Sequence, residues 1–288
     1  MTGTGTQADP FYPMNWSEFV TAIGKSGVYI ECPENGVWEM NEMLPEGLRS
    51  TISWAGNTVH GNGLAINNLY FNGGYIDFSD ENRANDIHRL NFLNMATSGS
   101  SEKMFCAYNY YSNRAGGKAY FNNCKISGLI SSGTVFTTSR YGVIYLTHDD
   151  EKSCSINLKF TGNGTLLKMD SYSTRFKYCN IKFDGDTTAS VTSNSDTYEK
   201  CYISGKSPWN NLKIYGYDNV LDIEIPKGKT IELPAFTTSH ADTSVLNIDK
   251  MHGSYKSSYQ PIPKYIEVTE AQLSDVAYLQ SKGFSIAG

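Results

Sequence analysis

Three segments of this chain carry one pattern. An aromatic residue is followed three positions on by Cys, two further by Ile, and then by Gly: Phe121, Cys124, Ile126, Gly128; Phe176, Cys179, Ile181, Gly185; Tyr198, Cys201, Ile203, Gly205. Each copy reads as a strand that alternates inward and outward and is closed by a turn residue. Recurrence of one strand-and-turn unit predicts a stacked, solenoid-type fold. No other feature of the chain narrows its architecture so much.

The spacing between copies sharpens this expectation. Leu158, Ile181, Ile203 and Ile223 lie 23, 22 and 20 residues apart and predict one inward-facing ladder. Upstream, Phe92, Ile126 and Leu158 are 34 and 32 residues apart, which reads as a rung plus an inserted loop. The predicted insertions fall at 96–117 and 130–153, both polar and rich in Gly and Ser. In a solenoid such insertions project outward and often carry function.

Short strands fill most of the remainder. They are predicted at 28–32, 37–40, 50–54, 65–71, 75–78, 88–93, 119–126, 143–146, 155–160, 166–169, 174–183, 200–203, 212–215, 221–225 and 230–233. Only 18% of residues are charged, while Gly and Tyr are abundant. That composition favours strands and turns over helices. One helix is predicted early, capped by Asn15 or Ser17, with Trp16, Phe19, Val20 and Ile23 on one face. Three units follow: a flexible arm at 1–14, a β-helix domain at 15–235, and a C-terminal cap or docking segment at 236–288. The last segment contains a possible strand at 266–268. Thr269, with Glu270 and Gln272 after it, forms a capping box for a helix to about Lys282, which Gly283 ends.

The helix-then-strand opening and the Cys–Ile rungs resemble the right-handed parallel β-helix, or pectin-lyase-like, superfamily over about 15–235. The expected fold is therefore all-β: a right-handed parallel β-helix with a short N-terminal helix and a small C-terminal α/β tail. The superfamily contains secreted polysaccharide lyases and hydrolases, and also bacteriophage tail spikes and other virion proteins. Residues 1–10 show no basic start or apolar stretch of a signal peptide, which points to the bacteriophage branch. The resemblance then implies a head or tail spike, fibre or decoration protein, made in the host cytoplasm and carried on the virion. Implied partners are other virion proteins, further copies of this chain in a homo-oligomer such as a trimer, and host-surface polysaccharide. The alternative is a phage polysaccharide depolymerase, a lyase or glycoside hydrolase, on the same fold. A surface adhesin is the third reading.

The net charge of −5, without a Lys/Arg run, argues against nucleic acid as partner. No apolar run approaches the roughly 18 residues of a membrane span. The six cysteines contain no Cys-x-x-Cys pair and read as free thiols stacked in the core. No cofactor and no metal are expected. His60 lies beside Gly61 but lacks the leading Gly and the following Arg-x-Lys of the polygalacturonase-like branch. The densest acidic stretch, His148, Asp149, Asp150 and Glu151, offers His148, Asp149 and Asp150 as acid–base candidates, although such a run is also an ordinary solvated turn. Asp184 and Asp186 flank Gly185 in the manner of a turn. Tyr108, Tyr110, Tyr111 and Trp209 are the glycan-binding candidates, because exposed aromatics stack on the apolar faces of sugars. Tyr215 and Tyr217, around Gly216, are further ones.

Overall fold

The computed structural model describes residues 1–41, 46–79, 83–99, 101, 103–107, 117–138, 142–147, 154–162, 164–169, 174–177, 179–187, 197–206, 212–213, 216–217, 220–224, 230–233, 245–247, 254–257 and 265–267. Among the described residues one helix, α1 (Trp16–Ile23), precedes a succession of short strands. Asn15 caps α1 by accepting the Glu18 N–H at 3.0 Å, and Phe19, Ala22 and Ile23 are buried beneath it.

The strands repeat in a fixed circuit. The first coil is β1 (Tyr29–Glu31), β2 (Val37–Glu39) and β3 (Ile52–Ser53). The next is β4 (Thr58–His60), β5 (Ala65–Asn67), β6 (Tyr70–Phe71) and β7 (Ile76–Asp77). Then come β8 (Ala84–His88), β9 (Asn91–Thr97) and β10 (Lys103–Ala107), and β11 (Lys118–Asn122), β12 (Lys125–Ile130) and β13 (Thr134–Thr138). These are followed by β14 (Val143–Thr147), β15 (Cys154–Gly162) and β16 (Thr165–Met169). The chain continues through β17 (Thr174–Lys177), β18 (Cys179–Thr187), β19 (Thr197–Glu199), β20 (Tyr202–Lys206), β21 (Leu212–Lys213), β22 (Gly216–Tyr217) and β23 (Val220–Glu224). Last come β24 (Thr230–Leu233), β25 (Val245–Asn247), β26 (Ser254–Ser257) and β27 (Tyr265–Glu267).

Strands in equivalent places pair in parallel. They make a first sheet of eight strands from β1 to β22, a second of eleven from β2 to β27, a third of five from β3 to β16, and a three-stranded sheet of β21, β24 and β26. The protein is a parallel β-solenoid, as the repeats predict. Parallel pairing runs on past residue 235 through β25 and β27. The C-terminal helix expected at 269–282 lies outside the described residues.

The recurring motif has a different meaning from the one its alternation suggests. It is not one strand closed by a turn but the corner between two sheets. Phe121 ends inward on β11, Cys124 sits in the corner, and Ile126 is already on β12. The strands expected at 88–93, 119–126 and 174–183 each split there, into β8 and β9, β11 and β12, β17 and β18. Arg89 and Asn123 make the first two of these bends and Lys200 the corner between β19 and β20, with φ of 50°, 58° and 52°, a region in which Asn is among the best-tolerated side chains. Each cysteine donates its S–H to a carbonyl of the preceding coil: Cys124 to Ile87 at 3.5 Å, Cys179 to Leu146 at 3.5 Å, Cys201 to Phe176 at 3.3 Å. All three thiols are buried.

The ladder is shifted as well. Ile126, Ile156, Ile181, Ile203 and Leu221 stack in register, whereas Leu158 pairs with Phe183 and Gly205 with Ile223. Leu158 and Ile223, the expected members, sit two residues further along their strands. Period-two alternation is blind to a shift of two, and the corners set the true register. The predicted insertions are also partly regular coil, since β10, β13 and β14 fall within them.

Buried aromatics fill the axis. Phe105 touches the rings of Phe71, Phe78, Phe92, Phe121 and Phe136, with centroids between 5.2 and 6.5 Å apart. Buried Asn57 and Asn85 lie at equivalent points of successive coils, one residue before β4 and within β8 respectively. Asn57 bridges the Val28 N–H (3.0 Å) and the Ile23 carbonyl (2.6 Å), and Asn85 accepts the Gly56 and Asn57 N–H groups, each at 3.1 Å.

Residues 1–14, expected as a flexible arm, follow a defined path over the exposed edge of β1. Phe11 donates to the Tyr29 carbonyl and accepts from the Glu31 N–H, both at 2.9 Å. The Met1 ammonium reaches Glu18 at 2.7 Å. The arm thus supplies hydrogen-bond partners to a sheet edge that would otherwise invite further pairing.

Candidate functional site

Both faces of β10 and β13 are largely buried, so the third sheet offers no open surface there. Among the described residues, outward-facing polar side chains gather on the first and second sheets.

On the second sheet the regular pleat is interrupted. Ile126 pairs with Phe92 and Gly128 with Met95, so Leu93 and Asn94 together oppose Ser127. This is a β-bulge, a feature frequent beside binding sites. Asn94 takes the left-handed conformation (φ 52°) and donates its N–H to Ser127 Oγ at 3.0 Å. Its side-chain amide donates to Asn67 Oδ1 at 2.8 Å, and Asn67 in turn donates to the Glu39 carboxylate at 2.8 and 3.0 Å. A Cβ on Gly128 would come within 2.3 Å of the Met95 carbonyl oxygen, so the close approach of β9 to β12 requires glycine at this position.

The bulge leaves a hollow of about 370 Å³ across β9, β12 and β15. That is near the lower end of the size range of small-molecule sites. Its floor carries Leu129, 48% exposed, with Ala96 beside it. Asn94, Ser127, Asn157 and Lys159 surround this apolar patch with amides, a hydroxyl and an ammonium. The side chains of Asn157 and Lys159 make no hydrogen bond or ion pair among the described residues, and Asp184 is the cross-strand neighbour of Lys159. An apolar spot ringed by donors and acceptors suits a hydroxylated ring with one apolar face.

The first sheet carries a hydrogen-bonded row running across its strands. His60 and His88 pair in register on β4 and β8. His60 Nδ1 lies 3.1 Å from Glu31 Oε2, and His88 Nε2 lies 3.1 Å from Asp86 Oδ1. Asn62 donates to Glu31 at 2.6 Å, Asn122 donates to Asp86 at 2.7 Å, and Thr147 donates to Asn122 at 2.7 Å. Beside this row Tyr120 and Tyr145 stack with centroids 5.1 Å apart and planes 4° off parallel. Burial, with Tyr145 and the Asp86 charge nearby, pushes the Tyr120 phenol above its ordinary pKa. Because these rings face each other, they offer solvent their edges and hydroxyls rather than a flat platform for a sugar.

The acid–base candidates His148, Asp149 and Asp150 and the glycan candidates Tyr108, Tyr110, Tyr111 and Trp209 all lie outside the described residues. The bulge hollow was missed in the sequence, though Phe92, Leu93, Met95 and Ala96 break strict alternation and mark the place. The histidine row was missed too. Its signal is that Val59-His60 and Ile87-His88 recur 28 residues apart, the length of one coil. Compared with protein-family models, with curated proteins and with solved structures, the chain matches none.

Proposed function

We propose that this chain is a non-enzymatic structural β-solenoid of a bacteriophage virion, assembled with copies of itself, and that it contacts host-surface glycan through the hollow on its second sheet. The Cys–Ile rungs resemble the β-helix superfamily as a whole, of which virion proteins are one branch, and the Asn-, Tyr- and Gly-rich composition, similar to that of phage structural proteins, supports the virion reading within it. The glycan assignment is carried by one observation: the bulge at Asn94 opens a sugar-sized hollow in which exposed Leu129 is bordered by the side chains of Asn94, Ser127, Asn157 and Lys159.

The test is retention of the purified protein on an array of bacterial capsular and lipopolysaccharide glycans. Binding to a subset of these is expected. Leu129→Asp should weaken it about tenfold or more, the order of one lost apolar contact in a pocket, and Asn157→Ala should weaken it less. No binding, or binding unchanged in both variants, would overturn the glycan reading. Release of reducing ends or unsaturated sugars during the same incubation would replace it with the depolymerase reading. Mass spectrometry of purified phage particles tests the virion assignment, which fails if this chain is missing from them.

A further inference from the structure

We infer that His60 and His88 form a two-imidazole site for a divalent transition-metal ion, zinc in the first instance, on the outer face of the first sheet. This site is separate from the hollow and does not depend on the glycan reading. The two histidines occupy the same register position on adjacent parallel strands, so their side chains leave the sheet side by side. Each ring has one nitrogen on a carboxylate, His60 Nδ1 on Glu31 and His88 Nε2 on Asp86, both at 3.1 Å. The opposite nitrogen of each ring is thereby left for a ligand bond. A carboxylate on the far nitrogen is the usual outer support of a metal-binding imidazole, setting its tautomer and raising its basicity. These carboxylates are themselves held, Glu31 by Asn62 and Asp86 by Asn122.

The ring spacing agrees. Two imidazoles that share a tetrahedral zinc at the usual Zn–N length hold their centroids about 5 Å apart; the His60 and His88 centroids are 5.4 Å apart. Side-chain exposures of 48% and 38% leave the solvent side open for water or an exogenous ligand to complete the coordination. Among the described residues no group of three or more His, Cys, Asp or Glu side chains is placed to hold a metal. The site is therefore bidentate in protein ligands, and its affinity rests on the two imidazoles and their carboxylates. Imidazole donors suit zinc, copper and nickel rather than calcium or magnesium.

Titration of the metal-free protein with zinc chloride, followed by calorimetry, tests the inference. One ion per chain is expected. The double variant His60→Ala/His88→Ala should lower affinity about 100-fold or more, and Glu31→Gln about tenfold, the range typical of lost outer support. Replacing His148, His240 and His252 together should leave this binding unchanged. Copper(II) loading read by electron paramagnetic resonance should show two equatorial imidazole nitrogens, a signature that folding defects in a variant cannot mimic. No uptake at millimolar zinc, affinity indifferent to the His60/His88 double change, or a copper spectrum without two imidazoles would each overturn the site. The pair would then be an edge-to-face packing contact only.

Discussion

Replacement of Asn85 by Ala tests the buried amide ladder that links successive coils. Asn85 Oδ1 accepts two backbone N–H groups of the coil before, from Gly56 and Asn57, each at 3.1 Å and both buried. Alanine leaves both donors without a partner where water cannot replace it. A buried orphaned donor costs about 1–3 kcal/mol, so two at about 1.5 kcal/mol each come to about 3 kcal/mol. For a protein of this size that corresponds to a melting midpoint lower by about 6–12 °C. The comparison is Asn91→Ala. Asn91 makes a similar backbone bridge between coils, accepting from the Lys125 N–H at 3.0 Å and donating to the Gly63 carbonyl at 3.1 Å. It is only half-buried, so water takes over those bonds and the loss should stay near 1 kcal/mol. Circular dichroism melts and urea titrations of the two variants give both numbers. Equal losses, or a loss below about 1 kcal/mol for Asn85→Ala, would refute the claim that burial makes this ladder matter.

Three further outcomes follow from the same structure. Phe105→Ala should cost about 4 kcal/mol, because it empties the space that five neighbouring rings pack against, whereas Phe105→Leu should cost about 1 kcal/mol in urea unfolding. Iodoacetamide at neutral pH should leave Cys32, Cys106, Cys124, Cys179 and Cys201 unmodified until the protein unfolds, since all five are buried and burial with the Glu31 charge pushes the Cys32 thiol up to about 12; peptide mapping before and after denaturation reads this directly. The Met1 ammonium, and next the Met14 N–H, hold the half-buried Glu18 carboxyl below its usual pKa. Its contribution to stability is present above the unfolded-state value and is lost as pH falls through the lower folded value, so Glu18→Gln should flatten the acid limb of the stability curve.

The helix at Trp16–Ile23 was legible in detail, because its cap and its apolar face are both local in the chain. The solenoid was legible in outline, because each coil repeats the same inward residues. The corner was not. An aromatic, a Cys and an Ile at spacings of three and two look the same along a straight strand as around a bend, and only the left-handed φ at Arg89, Asn123 and Lys200 separates the two. The same ambiguity moved the ladder from Ile156 to Leu158 and from Leu221 to Ile223. The acid–base and aromatic candidates chosen from local composition fall outside the described residues, while the hollow and the histidine row each draw on several coils.

By itself the sequence determined that this chain stacks: its Cys and Ile positions recur at coil length, its turn residues punctuate short strands, and few charges interrupt the core. Tertiary structure alone decided which residues meet. Glu31 and His60 lie 29 positions apart, and Asp86 and Asn122 lie 36 apart, yet parallel pairing sets each pair on neighbouring strands within hydrogen-bonding reach. In the sequence Gly128 reads only as the turn residue that closes a repeat; in the structure β9 passes so close that a single methyl group there would strike the Met95 carbonyl. Local periodicity specifies the coil, and the register between coils, set at the corners, brings chemistry from distant segments onto one face.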